Sequence, residues 1–134
     1  MNGVTAIFSL LSNTSGVTAL VPVARIVAGT LPLDTTLPAI SITDVSGVDL
    51  QFTDDHAQRF TTDRVQVTVI AEDYPTLVAT LTEAKSACDA KRPTISGLSN
   101  VSVRTDGQGP YFTDEAASLH MKSQDLRVTY TQDA

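Results

Sequence analysis

The chain has 134 residues, 42% of them hydrophobic and 18% charged, with a formal net charge of −6. That is enough apolar material for one ordinary core, expected as a single domain over 1–134, and it argues against disorder. Lysine and arginine never cluster beyond Lys91-Arg92, which argues against a nucleic-acid clamp, because phosphate binding depends on grouped cations.

The opening MNGVTAIFSLL has neither the positive start nor the cleavage site of a secretory signal, and no apolar run nears the length of a membrane span. The expectation is a cytosolic protein without a membrane partner. Val4, Ile7, Phe8 and Leu11 recur at helical spacing, which predicts a short amphipathic helix from about 3 to 12 that stops in SNTSG. VARIVAGTLP offers a brief apolar strand broken by Gly29 and Pro32, and LDTTLP reads as an extended loop between prolines.

From Pro38 the sequence alternates, with Ile40 and Ile42 on one face of a strand and Ser41 and Thr43 on the other. The same even phase returns at Val48, Leu50 and Phe52 beyond Ser46-Gly47, a site for a bulge or kink at the glycine. TDDHAQ has turn composition, and Val65, Val67 and Val69 alternate on the return strand. The result is a long hairpin whose outer arm, about 44–64, is too polar and too extended to lie wholly over one small core. Its charges are Asp44, Asp49, Asp54, Asp55 and Asp63 against Arg59 and Arg64, an electronegative arm unless the arginines gather on one face.

The next segment predicts a helix from Pro75 to Ala90. Asp73 is a plausible N-cap, Pro75 suits a first turn, and Leu77, Val78, Leu81, Ala84 and Cys88 form one apolar stripe before KRP stops it. Cys88, the single cysteine, belongs to that stripe and reads as packing rather than nucleophile. Val101 and Val103 then alternate, TDGQGP turns the chain, and a final strand carries Leu126, Val128 and Tyr130 on one face. The fold class is α+β: a mainly antiparallel sheet with a long β-hairpin, packed against one main helix and a short N-terminal helix.

Catalytic motifs are weak in this layout. Asp54, Asp55 and His56 together could ligand a divalent metal, but their spacing is unspecific and a polar hairpin tip explains them. His120 falls out of phase with Leu119 and Met121, a surface position. SGLSNVS and SGVD lack the setting of a nucleophile elbow, and TDGQGP is followed by no helix that could cradle a phosphate. The strand-to-helix turn before Tyr74 starts its helix with Asp73, which repels an anion. No enzyme activity and no cofactor are therefore expected.

In order and phrasing the chain resembles the tail-terminator (tail-completion) proteins of long-tailed bacteriophages and prophages. The resemblance runs from about Val4 to Thr131 through ARIVAGTLPLDTTLPAISITDVSG, DRVQVTVIAEDYPTLVATLTEAKSAC and SQDLRVTYT. It implies a protein of the virion tail or neck, assembled in the host cytoplasm as a homo-oligomeric ring, often a hexamer. Such a ring caps the head-proximal end of the tail tube, ends tube polymerisation and meets the head-tail connector, while DNA passes through unbound. Val48, Leu50, Phe52 and Phe60 of the arm are the expected subunit interface, since a ring needs side-to-side contacts beyond the core. Rival readings are a head-side neck or connector protein, a small-ligand binding module, or a metal-dependent enzyme built on Asp54, Asp55 and His56.

Overall fold

The computed structural model describes residues 2–32, 35–50, 58–114, 116 and 118–133. In chain order the elements are α1 (Asn2–Ser12), α2 (Ser15–Thr18), a 3-10 turn (Val23–Arg25), β1 (Ile26–Ala28), β2 (Ala39–Leu50), β3 (Gln58–Ala71), α3 (Tyr74–Cys88), β4 (Leu98–Gln108), β5 (Phe112–Asp114) and β6 (Leu119–Asp133). The strands form a six-stranded sheet in the order β1-β2-β3-β6-β4, with β5 continuing beside β6. Among the described residues only β1 runs parallel to its neighbour, and every other strand pairing is antiparallel. The fold is therefore α+β, as the alternation of the sequence predicts.

One sheet face is apolar because the chain alternates in phase across the central strands. Val65, Val67 and Val69 on β3, Ile40 and Ile42 on β2, and Leu126, Val128 and Tyr130 on β6 are all buried there. Helices α1 and α3 cover this face. Helix α1 contributes Val4, Ile7 and Leu11, and α3 contributes Leu77, Leu81, Ala84 and Cys88. The opposite face carries Ser41, Thr43, Gln66, Thr68 and Arg127 and, among the described residues, no helix, which is the usual division of an antiparallel sheet into a packed side and a solvated side.

The boundaries of α3 follow local chemistry. Asp73 is extended and its Oδ1 accepts the backbone N–H of Thr76 at 2.8 Å, satisfying a donor that the first turn leaves orphaned. Hydrogen bonding from Thr76, first from its side chain and then from this backbone N–H, holds the Asp73 carboxyl below its ordinary pKa. The helix ends at Cys88 with Asp89 as C-cap, two residues short of Ala90 and before KRP is reached. Its buried stripe differs from expectation at one place: Val78 is 44% exposed, while Thr80 and Ala87 are buried in addition to the predicted residues.

Three further features depart from the sequence reading. A single-turn helix, α2, begins within SNTSG at Ser15, and its Val17 is buried. The segment starting at Val23 forms a 3-10 turn before the strand at Ile26. In TDGQGP, strand β4 persists to Gln108, so the turn begins only at Gly109.

Candidate assembly surfaces

The hairpin formed by β2 and β3 changes character along its length, and one residue causes the change. Asp44 pairs with Val65, but Ser46 pairs with Arg64, so Val45 is an extra residue bulged out of β2. The bulge lies two residues before the glycine where sequence alone locates it. Because side chains alternate with period two, one inserted residue exchanges the faces. Val48 pairs with Thr62 and Leu50 with Phe60, and Thr62 and Phe60 share the helix-free phase of β3. Val48 therefore lies opposite to Ile40 and Ile42, although all are even-numbered.

The consequence is an inverted arm. At its base the hairpin is apolar beneath and polar above. Beyond Val45 it presents Val48, 67% exposed, and Phe60, 38% exposed, on the open face, with Val45 itself 50% exposed. Its underside carries Gly47, Asp49, Thr61 and Asp63, where Thr61 Oγ1 donates to Asp49 Oδ1 at 2.8 Å. The backbone of Leu50 extends this ladder. Its side chain lies outside the described residues, as do the predicted interface residue Phe52 and the triad Asp54, Asp55 and His56. Among the described residues no group of acidic, histidine and cysteine side chains is placed to hold a metal ion.

Asp63 corrects the picture of an arm with five surface carboxylates. It is 6% exposed, and its Oδ2 accepts the Gly3 N–H at 3.0 Å and the Tyr130 hydroxyl at 2.8 Å. The carboxylate thus sits at the N-terminus of α1, where the helix dipole favours negative charge, and α1 has no acidic residue of its own in its first turn. Both glycines beside it are forced by space. A Cβ on Gly3 would lie 2.8 Å from Asp63 Cβ, and one on Gly47 would lie 2.6 Å from Asp63 Oδ1. Sequence contains the signal, since Asp63 has the same odd phase as Val65, Val67 and Val69.

On the open face, arginines gather across the central strands. Arg64 pairs with Arg127, and Arg127 with Arg104, so the three stand side by side on β3, β6 and β4. Two carboxylates accompany them: Arg64 contacts Asp125 at 2.7 Å and Asp106 at 3.8 Å, and Arg127 contacts Asp106 at 3.4 Å. The hydrogen bond and charge of Asp125 raise the pKa of Arg64 further above its ordinary value. The arm's arginine at 64 is thus drawn into a row where two carboxylates offset part of the positive charge, while the side chain of Arg59 is outside the described residues.

A second apolar surface lies at the far end of the same ladder. Tyr74 and Val78 of α3, Tyr111 before β5, and Lys85 and Lys122 line an open groove. Tyr74 is 54% and Tyr111 41% exposed, and their rings meet edge to face with centroids 5.4 Å apart. His120 is half-buried rather than a free surface residue, its ring stacked on Tyr111 at 5.9 Å with its Nδ1 in contact with the tyrosine hydroxyl. No sequence pattern marks this groove, because its walls come from segments far apart in the chain.

Cys88 is fully buried, and burial pushes its thiol up to about 12. This agrees with a packing role and removes the thiolate that nucleophilic chemistry needs.

The family model described as tail completion protein gp17 matches residues 5–131. Among solved structures, a chain from the virion of a native gene transfer agent (GTA) particle has a similar fold, with a TM-score of 0.70 and 13% identity, covering 96% of this chain and 93% of the other. No curated protein matches the chain.

Proposed function

We propose a function from one premise: the chain belongs to the tail completion protein gp17 family, and so is a structural protein of a phage-type tail. In this reading it forms a homo-oligomeric ring, a hexamer by the family's habit, on the head-proximal end of the tail tube. The ring stops tube polymerisation and gives the head-tail connector a surface to join. It works by contact and shape, without catalysis, a cofactor or specific DNA binding. That the fold resembles a chain of the gene transfer agent virion agrees with a place in such a particle.

The observation that carries the ring is the inverted arm. Val48 and Phe60 are apolar, exposed and directed away from the helices, so the chain's own core cannot cover them. Val48, Leu50, Phe52 and Phe60 form the subunit interface, as the alternation of the arm suggests, and burying them between copies gains roughly 25 cal/mol per Å² of apolar surface. A self-association of this kind requires contact between different patches on neighbouring copies if it is to close as a ring.

Solution mass tests this directly. The wild type should run as a multiple of the 14.2 kDa chain, and a Val48→Asp, Phe60→Asp variant should keep its circular dichroism but fall to the monomer, because the change puts charge into a desolvated contact. Added to polymerising tube protein, the wild type should limit tube length. A chain that stays monomeric and leaves tube length unaltered would sink the reading.

A further inference from the structure

The arm and the aromatic groove lie at opposite ends of one ladder. On β3 and β6, Phe60 pairs with Thr131 at one end and Ala71 with His120 at the other. The strands between them span 12 residues from Phe60 to Ala71, roughly 35–40 Å at the usual rise of a strand. The two surfaces therefore cannot meet within one chain. Each is apolar at its centre: Val48 and Phe60 on the arm, Tyr74, Val78 and Tyr111 in the groove.

Their rims differ in sign. Lys85 and Lys122 border the groove, and neither enters an ion pair among the described residues. The arm brings Asp44 and Asp49 on the face opposite Val48 and Phe60, with Asp54 and Asp55 further along the sequence.

Resting on the ring reading above, we infer that the groove between α3 and the β4–β5 connection receives the acidic, apolar hairpin arm of a second copy of this chain. The contact is heterologous, since it joins one end of a subunit to the opposite end of the next. Repeated around an axis it closes a ring, with Tyr74 and Tyr111 as aromatic anchors and the lysines fixing register at the rim. The alternative occupants, the tube protein or a head-side protein, would leave the groove empty in the isolated oligomer.

Cross-linking decides between these. The native cysteine is buried, so a short bis-maleimide reports only on introduced thiols. Val48→Cys chains and Val78→Cys chains should each stay uncross-linked alone, give a heterologous dimer when mixed and reassembled, and yield a ladder of multimers when both substitutions share one chain. Lys85→Glu with Lys122→Glu should weaken assembly severalfold, and the wild-type oligomer should loosen as salt rises, because attraction between charges at the rim is screened. If rings of normal mass form without the heterologous cross-link, the arm docks elsewhere and this inference fails while the ring stands. If Val48→Cys links to itself alone, the contact is arm to arm, and the inference fails. A chain that is monomeric and uncross-linked at its solubility limit overturns both.

Discussion

Asp63 shows how much can hang on one side chain. Its carboxylate joins the start of α1, the end of β6 and the point where the arm leaves the core. Replacing it with alanine leaves the buried Gly3 N–H and the Tyr130 hydroxyl without their acceptor, and an unsatisfied buried donor costs about 1–3 kcal/mol. Asp63→Ala should therefore lose at least that much in urea unfolding. Tyr130→Phe, which removes one donor and leaves the carboxylate still bonded to Gly3, should cost about 1 kcal/mol. Gly3→Ala should destabilise by about 1–3 kcal/mol through overpacking alone, because its Cβ would meet Asp63 Cβ at 2.8 Å. If Asp63→Ala unfolds at the wild-type urea midpoint, the carboxylate is not the anchor that its hydrogen bonds indicate.

At the scale of elements, α3 and the bulge separate what a sequence displays from what it hides. Leu81 is 6% exposed and Val78 is 44% exposed, though both fit one apolar stripe. Leu81→Ala should cost about 2–5 kcal/mol, as large-to-small changes in packed cores do, whereas Val78→Ala should stay within about 0.5 kcal/mol. Equal losses would put Val78 in the core after all. Cys88, further along the same stripe, should resist a thiol reagent at pH 8 in the native state and react on unfolding. Its raised pKa has a second consequence. From about pH 9, where an unfolded thiol ionises, towards 12, where the folded one would, the wild type should lose stability that a Cys88→Ala variant does not lose over that window. The long elements were legible because each repeats a period over many residues: α1, β2, β3, α3 and β6 all follow from alternation or helical spacing. The bulge was not, because Val48 keeps the parity of Ile40 and Ile42, and only the pairing partner shows that one residue has been inserted between them. Helix α2 was hidden for another reason, being a single turn whose four residues are too few for a period. The groove at Tyr74 and Tyr111 depends on tertiary contacts alone, and Asp63 shares the odd phase of Val65 and Val67 although aspartates are mostly exposed.

For the whole molecule the decisive question is whether a chain with arginines on an open sheet face would hold DNA, as the proposed ring requires it not to. The chain is net negative by 6 charges, yet Arg64, Arg127 and Arg104 align in neighbouring strands on the helix-free face. Taken alone, that row would suit a phosphate backbone. Asp125 and Asp106 stand within the same cluster, at 2.7–3.8 Å from Arg64 and Arg127, and leave the row about one charge positive. Affinity for duplex DNA varies with salt to a power of about 0.9 per phosphate neutralised, so one such charge gives only about a threefold to fourfold gain between 200 and 50 mM. In the proposed ring each further copy would bring its own carboxylates with its arginines. The wild type should accordingly show no measurable binding to double-stranded DNA at physiological salt and little at low salt. An Asp106→Asn, Asp125→Asn variant, which keeps the size of both side chains and unmasks the cations, should gain affinity that tightens steeply as salt falls. Steep tightening by the wild type would show instead that this face is built to hold DNA, and an unresponsive variant would show that the arginines do not face it.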